Sequence, residues 1–258
     1  MTMQVKLLAS HCADPAHLQP LTTFLVNDQL AIDAGSLGIA LPLDQQRLIR
    51  HVVITHAHSD HTGALPIFMA EVFPFLDSPV VIHAIEHAIQ SLQRHIFNDA
   101  IWPDFHQIAL INGKGPSLIY HTISPGIPFE VHGLRITPVA MNHTVPCVGL
   151  IVEDGAHAVI FTSDTYHTDE IWQLANQLEN LRAIFVDVSY PNEHEQLAAV
   201  SKHLTPQSLD AELNKLTRPT DVYAVHLKPQ FRQQVIEQLA RLNRPRVFVA
   251  EINRQYSW

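Results

Sequence analysis

Four candidate metal ligands occur within six residues of the sequence, in the stretch Thr55-His56-Ala57-His58-Ser59-Asp60-His61. The apolar run before it, at residues 51–54, predicts a short buried strand. Side chains of an extended chain alternate in direction, so His56 and His58 point the same way. Asp60 and His61 lie beyond the strand, where a loop can direct them at a second point. The stretch therefore predicts ligands for two metal ions at the end of a strand.

Chance alone does not explain this spacing. The chain contains 18 histidines, and a lone histidine is more often a surface or core residue than a ligand. The pattern H-x-H-x-D-H, however, follows an apolar strand directly. Burying these polar groups together is unfavourable unless something satisfies them. A pair of divalent metal ions would satisfy them.

Composition bounds the class of protein. The 258 residues suffice for one large domain or two small ones, and an apolar fraction of 47% is ordinary for a globular chain. The formal charge of −9 argues against extended nucleic-acid binding, which depends on phosphate neutralisation by Lys and Arg. It permits a small phosphate ester held by metals. Cys12 and Cys147 form no C-x-x-C pair, so neither a zinc ribbon nor a disulfide framework is expected.

Hydropathy indicates no membrane association. The sequence has no run approaching the roughly 18 apolar residues that cross a bilayer. Residues 1–10 predict a first strand rather than a signal peptide. We expect a cytoplasmic protein.

The pattern of predicted elements differs between the two halves of the chain. The first half is rich in strand hairpins, and the second alternates strand and helix. A helix is predicted over residues 168–178 with Thr168 as its N-cap, and Thr205 is the predicted N-cap of a helix that begins at Pro206. We predict a single two-sheet domain over residues 1–258, flanked by helices, with polar residues on the loops at strand ends.

Two metal ions need more ligands than the opening stretch supplies. His56 and His58 could serve one ion, and Asp60 and His61 the other, but each ion needs about two more groups and an open position for water. Candidates stand directly after three later predicted strands: His143, Asp164 and His226. A carboxylate such as Asp164 can bridge two cations, which a neutral imidazole cannot.

Two further features have two interpretations each. Asp33, at the end of a predicted hairpin, is either a turn residue or a support for the metal ligands. The segment 96–124 mixes aromatic and polar residues without a clean period, so it forms either a lid or pocket wall or an ordinary surface excursion.

The ordered set of motifs resembles the metallo-β-lactamase superfamily. The H-x-H-x-D-H signature, the three later ligands and Asp33 match its five motifs in order over nearly the whole chain. The resemblance implies an α+β fold of four layers, an αββα sandwich with a dinuclear site at one edge. It implies two ligand sets bridged by Asp164: His56, His58 and His143 for one ion, and Asp60, His61 and His226 for the other. His58 stands where flavodiiron members carry Glu, which argues against that redox branch.

Two adjacent metal ions would supply hydrolytic chemistry. They lower the pKa of a bridging water so that hydroxide is available near neutral pH, and they stabilise charge on a phosphoryl centre. Asp60 and Asp164 are therefore expected to act in catalysis as well as in metal binding. Zinc is the expected metal, although mixed His and carboxylate ligands also accept manganese or iron.

A second resemblance concerns the substrate. The segment Ser201-Lys202-His203-Leu204-Thr205-Pro206 resembles the His-containing segment of class II cyclic-nucleotide phosphodiesterases, and residues 97–105, 142–146 and 225–229 resemble their compact bacterial members. Ser59 departs from that group, which has a hydrophobic residue before the aspartate. The resemblance implies hydrolysis of 3′,5′-cyclic AMP and/or GMP to nucleoside 5′-monophosphates, with His203 protonating the departing ribose 3′ oxygen. The expected substrate contacts are Asn98, Trp102, Asn142 and His203.

Other functions compete with this one. A tRNA 3′-processing endonuclease of the same superfamily also uses a late histidine, but such enzymes carry an extended arm, and the sequence has no long Gly-rich or basic insertion. Thioester or lactone hydrolysis is a third candidate. A non-catalytic metal-binding signalling module is disfavoured by the additional His203, because a structural site is normally closed. The expected partner is a small nucleotide, and apolar helix faces with a histidine-rich surface allow a homodimer.

Overall fold

The computed structural model describes residues 2–10 and 19–258. Two compact units are formed: the first by Thr2–Ser124 and Ile252–Ser257, the second by Pro125–Glu251 with Trp258. Cys12 lies outside the described residues, and Cys147 is buried in the second unit. The assignment of residues 1–258 to a single domain stays a prediction.

The first unit contains a mixed seven-stranded sheet in the order β14-β1-β2-β3-β4-β5-β6. Its strands are β1 Gln4–Leu7, β2 Phe24–Val26, β3 Leu30–Ile32, β4 His51–Ile54, β5 Val80–Ala84, β6 Leu118–Thr122 and β14 Gln255–Ser257. Strands β3 to β6 run parallel, and the β14, β1, β2 and β3 pairings are antiparallel. The helices are α1 Leu37–Ala40, α2 Leu43–Gln46, α3 Ser59–Thr62, α4 Leu65–Val72 and α5 Glu86–His95, with a 3₁₀ turn at Phe73–Phe75.

Burial explains why these segments adopt this arrangement. Val52 and Val53 on β4 are both fully buried, as is usual for a central strand of a parallel arrangement that is covered on both faces. Helix α5 buries Ala88, Ile89 and Leu92 at helical spacing against the same core. Burial of apolar surface of this kind is the dominant favourable term in folding.

The segment 96–124 joins the core of the first unit. Phe97 and Phe105 are buried there, with ring centroids 6.3 Å apart, and Trp102 packs against the same cluster. These packed aromatic residues are compatible with a surface excursion and with a pocket wall, so the role of the segment stays a prediction. Strands β6 and β14 had no sequence prediction, because β6 is exposed at its end and β14 is a three-residue strand with one buried side chain.

The second unit contains another mixed seven-stranded sheet, in the order β13-β12-β11-β10-β9-β8-β7. Its strands are β7 Phe129–Val131, β8 Leu134–Met141, β9 Cys147–Glu153, β10 Ala158–Phe161, β11 Leu181–Asp187, β12 Asp221–Val225 and β13 Val247–Val249. Strands β10 to β13 are parallel, and β7 to β10 are antiparallel. The helices are α6 Glu170–Gln177, α7 Glu195–Ser201, α8 Pro206–Leu213 and α9 Arg232–Arg241, with 3₁₀ turns at Asn192–His194 and Pro229–Phe231.

The two predicted N-caps have different outcomes. Thr205 caps α8: its hydroxyl accepts the Ser208 N–H, and the Ser208 side chain accepts the Thr205 N–H, which completes a capping box. The Thr168 prediction is wrong, because Asp169 precedes α6 and no side-chain cap forms. Instead the Thr168 N–H donates to Glu212 of α8, so tertiary contact determines this terminus.

The predicted α+β class is confirmed by two mixed sheets with accompanying helices. In the described part of the chain, every helix is too short or too polar to traverse a bilayer.

Candidate functional site

The histidine motif of the first unit follows the carboxyl end of β4. His56 and His58 lie on the connecting loop, and His56 Nε2 is 3.1 Å from His58 Nδ1. Asp60 and His61 lie on α3, and the His61 ring centroid is 4.1 Å from that of His56. The structure therefore brings the three predicted imidazole ligands of this motif together within one unit.

The Asp33 carboxylate contacts both the start and the end of the histidine motif. Its Oδ1 accepts the Thr55 N–H at 2.8 Å, and its Oδ2 accepts the Thr55 hydroxyl at 2.9 Å and lies 2.7 Å from His61 Nδ1. A carboxylate accepts only, so His61 Nδ1 carries a proton and Nε2 carries the lone pair that a metal requires. Of the two interpretations of Asp33, the structure favours support of the ligands.

Gly35 allows the motif to sit close to the neighbouring backbone. A Cβ at this position would lie 2.0 Å from the Asp60 carbonyl oxygen. That same oxygen accepts the Thr22 N–H at 2.8 Å. Any larger residue at position 35 would displace the Asp60 backbone.

In the second unit, polar residues follow neighbouring parallel strands. Asp164 comes after β10, Asp187 ends β11, and His226 comes after β12. Parallel strands with adjacent carboxyl ends bring such side chains to one edge of the sheet. Asp164, Asp187, His203 and His226 each offer a ligand atom, and these atoms all lie within 4.8 Å of one another.

The carboxylate of Asp164 faces two imidazoles. His143 Nε2 lies 3.8 Å from its Oδ2, and His226 Nε2 lies 3.6 Å from its Oδ1. Two ligands on one tetrahedral zinc ion are about 3.3 Å apart when each bond is about 2.0–2.1 Å. Each oxygen of Asp164 could therefore share an ion with a different histidine.

Each of these histidines is oriented through its other ring nitrogen. His143 Nδ1 lies 3.3 Å from the Lys202 carbonyl oxygen, and His226 Nδ1 lies 2.8 Å from the Ser189 hydroxyl. The Ser189 hydroxyl has one proton, which it can donate to Asp187 Oδ1 or to the His226 carbonyl oxygen. The Ser189 oxygen therefore accepts the hydrogen bond from His226 Nδ1. In both rings Nε2 is then the lone-pair nitrogen. The donor chemistry fits a divalent metal.

His203 pairs with a buried carboxylate. Its Nδ1 lies 2.7 Å from Asp187 Oδ2, and its ring stacks beside His226 with centroids 5.3 Å apart and meets the His143 ring edge at 5.2 Å. Burial raises the pKa of Asp187, but the charge and hydrogen bond of His203, with a hydrogen bond from His226, bring the pKa below its ordinary value. Asp187 therefore stays ionised and orients His203.

Sequence reasoning missed Asp187 and Ser189. The available signal was a carboxylate at the end of an otherwise apolar strand prediction, the same signal that identified Asp164. The apolar run at residues 183–188 predicts a strand that includes Asp187, and nothing in that run alone assigns this carboxylate a role. Lys202, expected to be a surface charge, has its Nζ 5.5 Å from the Tyr166 ring centroid and contributes its carbonyl oxygen to His143.

The remaining predicted substrate residues are engaged locally. The Asn98 side chain accepts the N–H groups of Ala100 and Ile101 and donates to the Arg94 carbonyl, which shapes a turn. The Asn142 amide donates to the His167 carbonyl. Trp102 is half-buried, and its Nε1 has no hydrogen-bond partner among the described residues. Substrate contact by these residues stays a prediction.

The chain belongs to the beta-lactamase superfamily domain family, which matches residues 32–249. A probable 3′,5′-cyclic-nucleotide phosphodiesterase of Yersinia pestis is 26% identical over 270 residues, covering 83% of this chain and 75% of that protein. A ribonuclease Z of Bacteroides fragilis is 24% identical over 253 residues, covering 92% and 73% respectively. The matched regions span less than half of the length of two yeast cyclic-nucleotide phosphodiesterases.

Among solved structures, unliganded yeast PDE1 superposes with a TM-score of 0.79 at 18% identity, over 98% of this chain and 99% of that one. At this identity the likeness shows the fold alone. Together, the family match, the phosphodiesterase relatives and the clustered His and Asp side chains support a hydrolase with a divalent-metal site.

Proposed function

We propose that this chain hydrolyses 3′,5′-cyclic nucleotides, cyclic AMP and/or cyclic GMP, to nucleoside 5′-monophosphates with two divalent metal ions. The observation that carries the proposal is the His203–Asp187 pair, at 2.7 Å, beside Asp164 and His226. A metal site alone would not need this further histidine. The relatives named as cyclic-nucleotide phosphodiesterases support the choice of substrate.

The proposed ligands follow the motif order of the family. One ion would be held by His56, His58 and His143, the other by Asp60, His61 and His226, and Asp164 would bridge them. Support comes from the lone-pair orientation of His61, His143 and His226, each anchored through Nδ1. When bound, the ions would supply a hydroxide nucleophile and positive charge near the phosphoryl group, with zinc preferred and manganese or iron accepted.

His203 would donate a proton to the leaving group. Asp187 accepts from Nδ1, so the proton that His203 transfers would be carried on Nε2. Delivery of this proton to the ribose 3′ oxygen avoids release of a free alkoxide. Asn98, Trp102 and Asn142 are the proposed contacts to the nucleotide.

The direct test uses purified protein loaded with zinc or with manganese. We expect turnover of cyclic AMP or cyclic GMP to the 5′-monophosphate, loss of activity with chelator, and recovery on adding metal. Metal analysis of the active protein should give two ions per chain. Absence of turnover on both nucleotides at full metal occupancy would reject the proposal.

Ribonuclease Z-like processing is the second candidate, because the Bacteroides relative aligns with 92% of this chain. A precursor tRNA is the discriminating substrate, assayed with the same metal-loaded preparation. The net charge of −9 disfavours a long polyanion, since each phosphate contact needs a cationic partner. Cleavage of precursor tRNA without turnover of cyclic nucleotides would favour the endonuclease.

A further inference from the structure

A cavity of about 520 Å³ lies in the second unit, away from the residues assigned above. Thr220, just before β12, and Arg246, just before β13, line it at the amino ends of these strands. The candidate catalytic residues follow the carboxyl ends. Five residues of β12 separate the two ends, roughly 16 Å along the strand. The volume is in the range of small-molecule sites.

The lining combines apolar walls with three guanidinium groups. Leu213, Val222 and Leu242 are among the apolar residues. The cations are Arg218, Arg244 and Arg246, and Asp210 is the one carboxylate among the lining residues, so cations are in excess. Clefts lined by one sign of charge concentrate ligands of the opposite sign. A positively charged cavity is unexpected in a chain with a net charge of −9.

Neighbouring carboxylates neutralise only part of this charge. Arg244 pairs with Asp210, and Arg246 pairs with Asp221 at 2.7 Å. Arg218 donates to the Leu178 carbonyl and forms no ion pair with any residue that the structure describes. The three guanidinium groups and the two paired carboxylates together leave one net positive charge. Because each guanidinium has five N–H donors, donors stay available to a ligand.

Thr220 provides a second, independent indication of a ligand. The residue lines the cavity and is only 5% exposed, and its Oγ1 is buried without a hydrogen-bond partner within the described chain. Buried hydroxyl groups are nearly always hydrogen-bonded, because leaving one without a partner is unfavourable. A rotation about χ1 that turns the hydroxyl towards the cavity would let an oxygen of a bound ligand complete this group.

We propose that this cavity is a binding site for a small organic anion, with its oxyanion between Thr220 and the guanidinium groups and its apolar body against Leu213, Val222 and Leu242. The site is separate from the metal ligands, so the proposal does not depend on the cyclic-nucleotide activity. Both an apolar surface and a charge are required for recognition, since the walls and the cations occur together.

Titration calorimetry with four probes tests this: phenyl phosphate, benzoate, inorganic phosphate and phenol. We expect at least one of phenyl phosphate and benzoate to bind more tightly than inorganic phosphate and phenol. Amide chemical-shift changes in ¹H–¹⁵N spectra should fall on residues 210–222 and 242–247. Equal binding of phenol would overturn the role of the arginines, and shifts confined to the metal-binding loops would place the probe elsewhere.

Two variants test the side chains in the metal-loaded full-length protein. Thr220→Val should weaken binding of the anionic probe about tenfold, and Arg246→Gln about fivefold. The controls Thr137→Val, a half-buried strand threonine, and Arg182→Gln, an exposed arginine of β11, should bind as the parent does. Unchanged affinity in both cavity variants would overturn the proposal.

Thermal unfolding without any probe gives a separate check. Because the Thr220 hydroxyl has no partner, its replacement by a methyl group should leave the melting temperature unchanged or raise it. A melting temperature lowered by Thr220→Val would show that the hydroxyl serves the protein itself and would contradict a ligand role.

Discussion

At the scale of single residues, a carboxylate behind an imidazole recurs in both units. Asp33 lies 2.7 Å from His61 Nδ1, and Asp187 lies 2.7 Å from His203 Nδ1. The same contact has different consequences. For a proposed metal ligand it presents the lone pair of Nε2, whereas for His203 it orients the ring so that Nε2 can carry the proton for the leaving group.

His203→Ala should retain its metal content and fold but lose about 10²–10⁴-fold in kcat on a cyclic nucleotide, because the alkoxide then leaves without a proton. The loss should be much smaller on bis(4-nitrophenyl) phosphate, since nitrophenolate leaves readily unprotonated. His87→Ala, an exposed position of α5, is the control. Equal losses on both substrates would contradict the general-acid role.

Asp33→Asn should weaken metal binding by about 10–100-fold, because the amide can donate to His61 Nδ1 and favour the wrong tautomer. Metal affinity is measured by competition with a chromophoric chelator. Asp44→Asn, on the exposed face of α2, is the matched control. Metal affinity equal to that of the parent would mean that Asp33 only shapes the turn.

At the scale of elements, the candidate site residues lie at or just after the ends of strands. The residues after β3, β10 and β12 turn sharply: Asp33, Ser163 and His226 have positive φ angles of 60°, 54° and 62°. This conformation is unfavourable for residues other than glycine and persists where the surroundings impose it.

Thr205→Ala should lower the free energy of unfolding by about 1–2 kcal/mol, because it removes the capping box of α8 and a bond to Glu195. Thr168→Ala, at the position that forms no cap, should lower the free energy of unfolding by less than about 0.5 kcal/mol. Urea titration of both variants measures the difference. Equal costs would show that the capping box contributes nothing.

Three adjacent strands of the first sheet carry a chain of histidines. His83 Nε2 lies 2.9 Å from His51 Nδ1, and His83 Nδ1 lies 3.0 Å from His121 Nδ1. Burial, and then the charges of His51 and His121, lower the pKa of His83 to about 3. The native protein therefore keeps His83 neutral in a range where the unfolded chain takes up a proton.

This difference predicts a loss of stability in acid. Because the folded pKa lies below the unfolded value of about 6.5, stability is complete above pH 6.5 and declines towards pH 3. Between pH 7 and pH 5 the His83 contribution should be about 2 kcal/mol. His83→Phe should flatten the pH dependence of the unfolding free energy, whereas His87→Phe, exposed on α5, should not. A parallel pH profile for His83→Phe would show that His83 titrates normally.

At the scale of the whole molecule, the proposed metals link stability to function. Each zinc ion, at about 100 times its Kd, should raise the unfolding free energy by about 2.7 kcal/mol and the melting temperature by about 5–10 °C. His56→Ala in the first unit and His226→Ala in the second should each abolish most of the rise due to the ion that the residue would hold. If variants of only one unit did so, the other unit would not contribute ligands.

The opening motif was predictable because it is local. An extended chain alternates its side chains, so the spacing of His56 and His58 alone places them together, and the structure has them 3.1 Å apart. The apolar run of β4 and the capping residue Thr205 depend on equally short-range rules. The roles of Asp187 and Ser189 do not, because each depends on contacts with residues from 16 to 37 positions away.

By itself the sequence therefore indicated the candidate ligands, which follow from spacing and strand-end placement along the chain. Its motifs also resemble the superfamily to which the chain belongs, and that resemblance implied the α+β class. Only the tertiary structure decided which nitrogen each histidine presents, which carboxylate holds His203, and that three arginines with Thr220 line one cavity. These features arise when β10, β11, β12 and β13 pair side by side. Hydrogen bonding between distant strands specifies that pairing, and no local pattern encodes it.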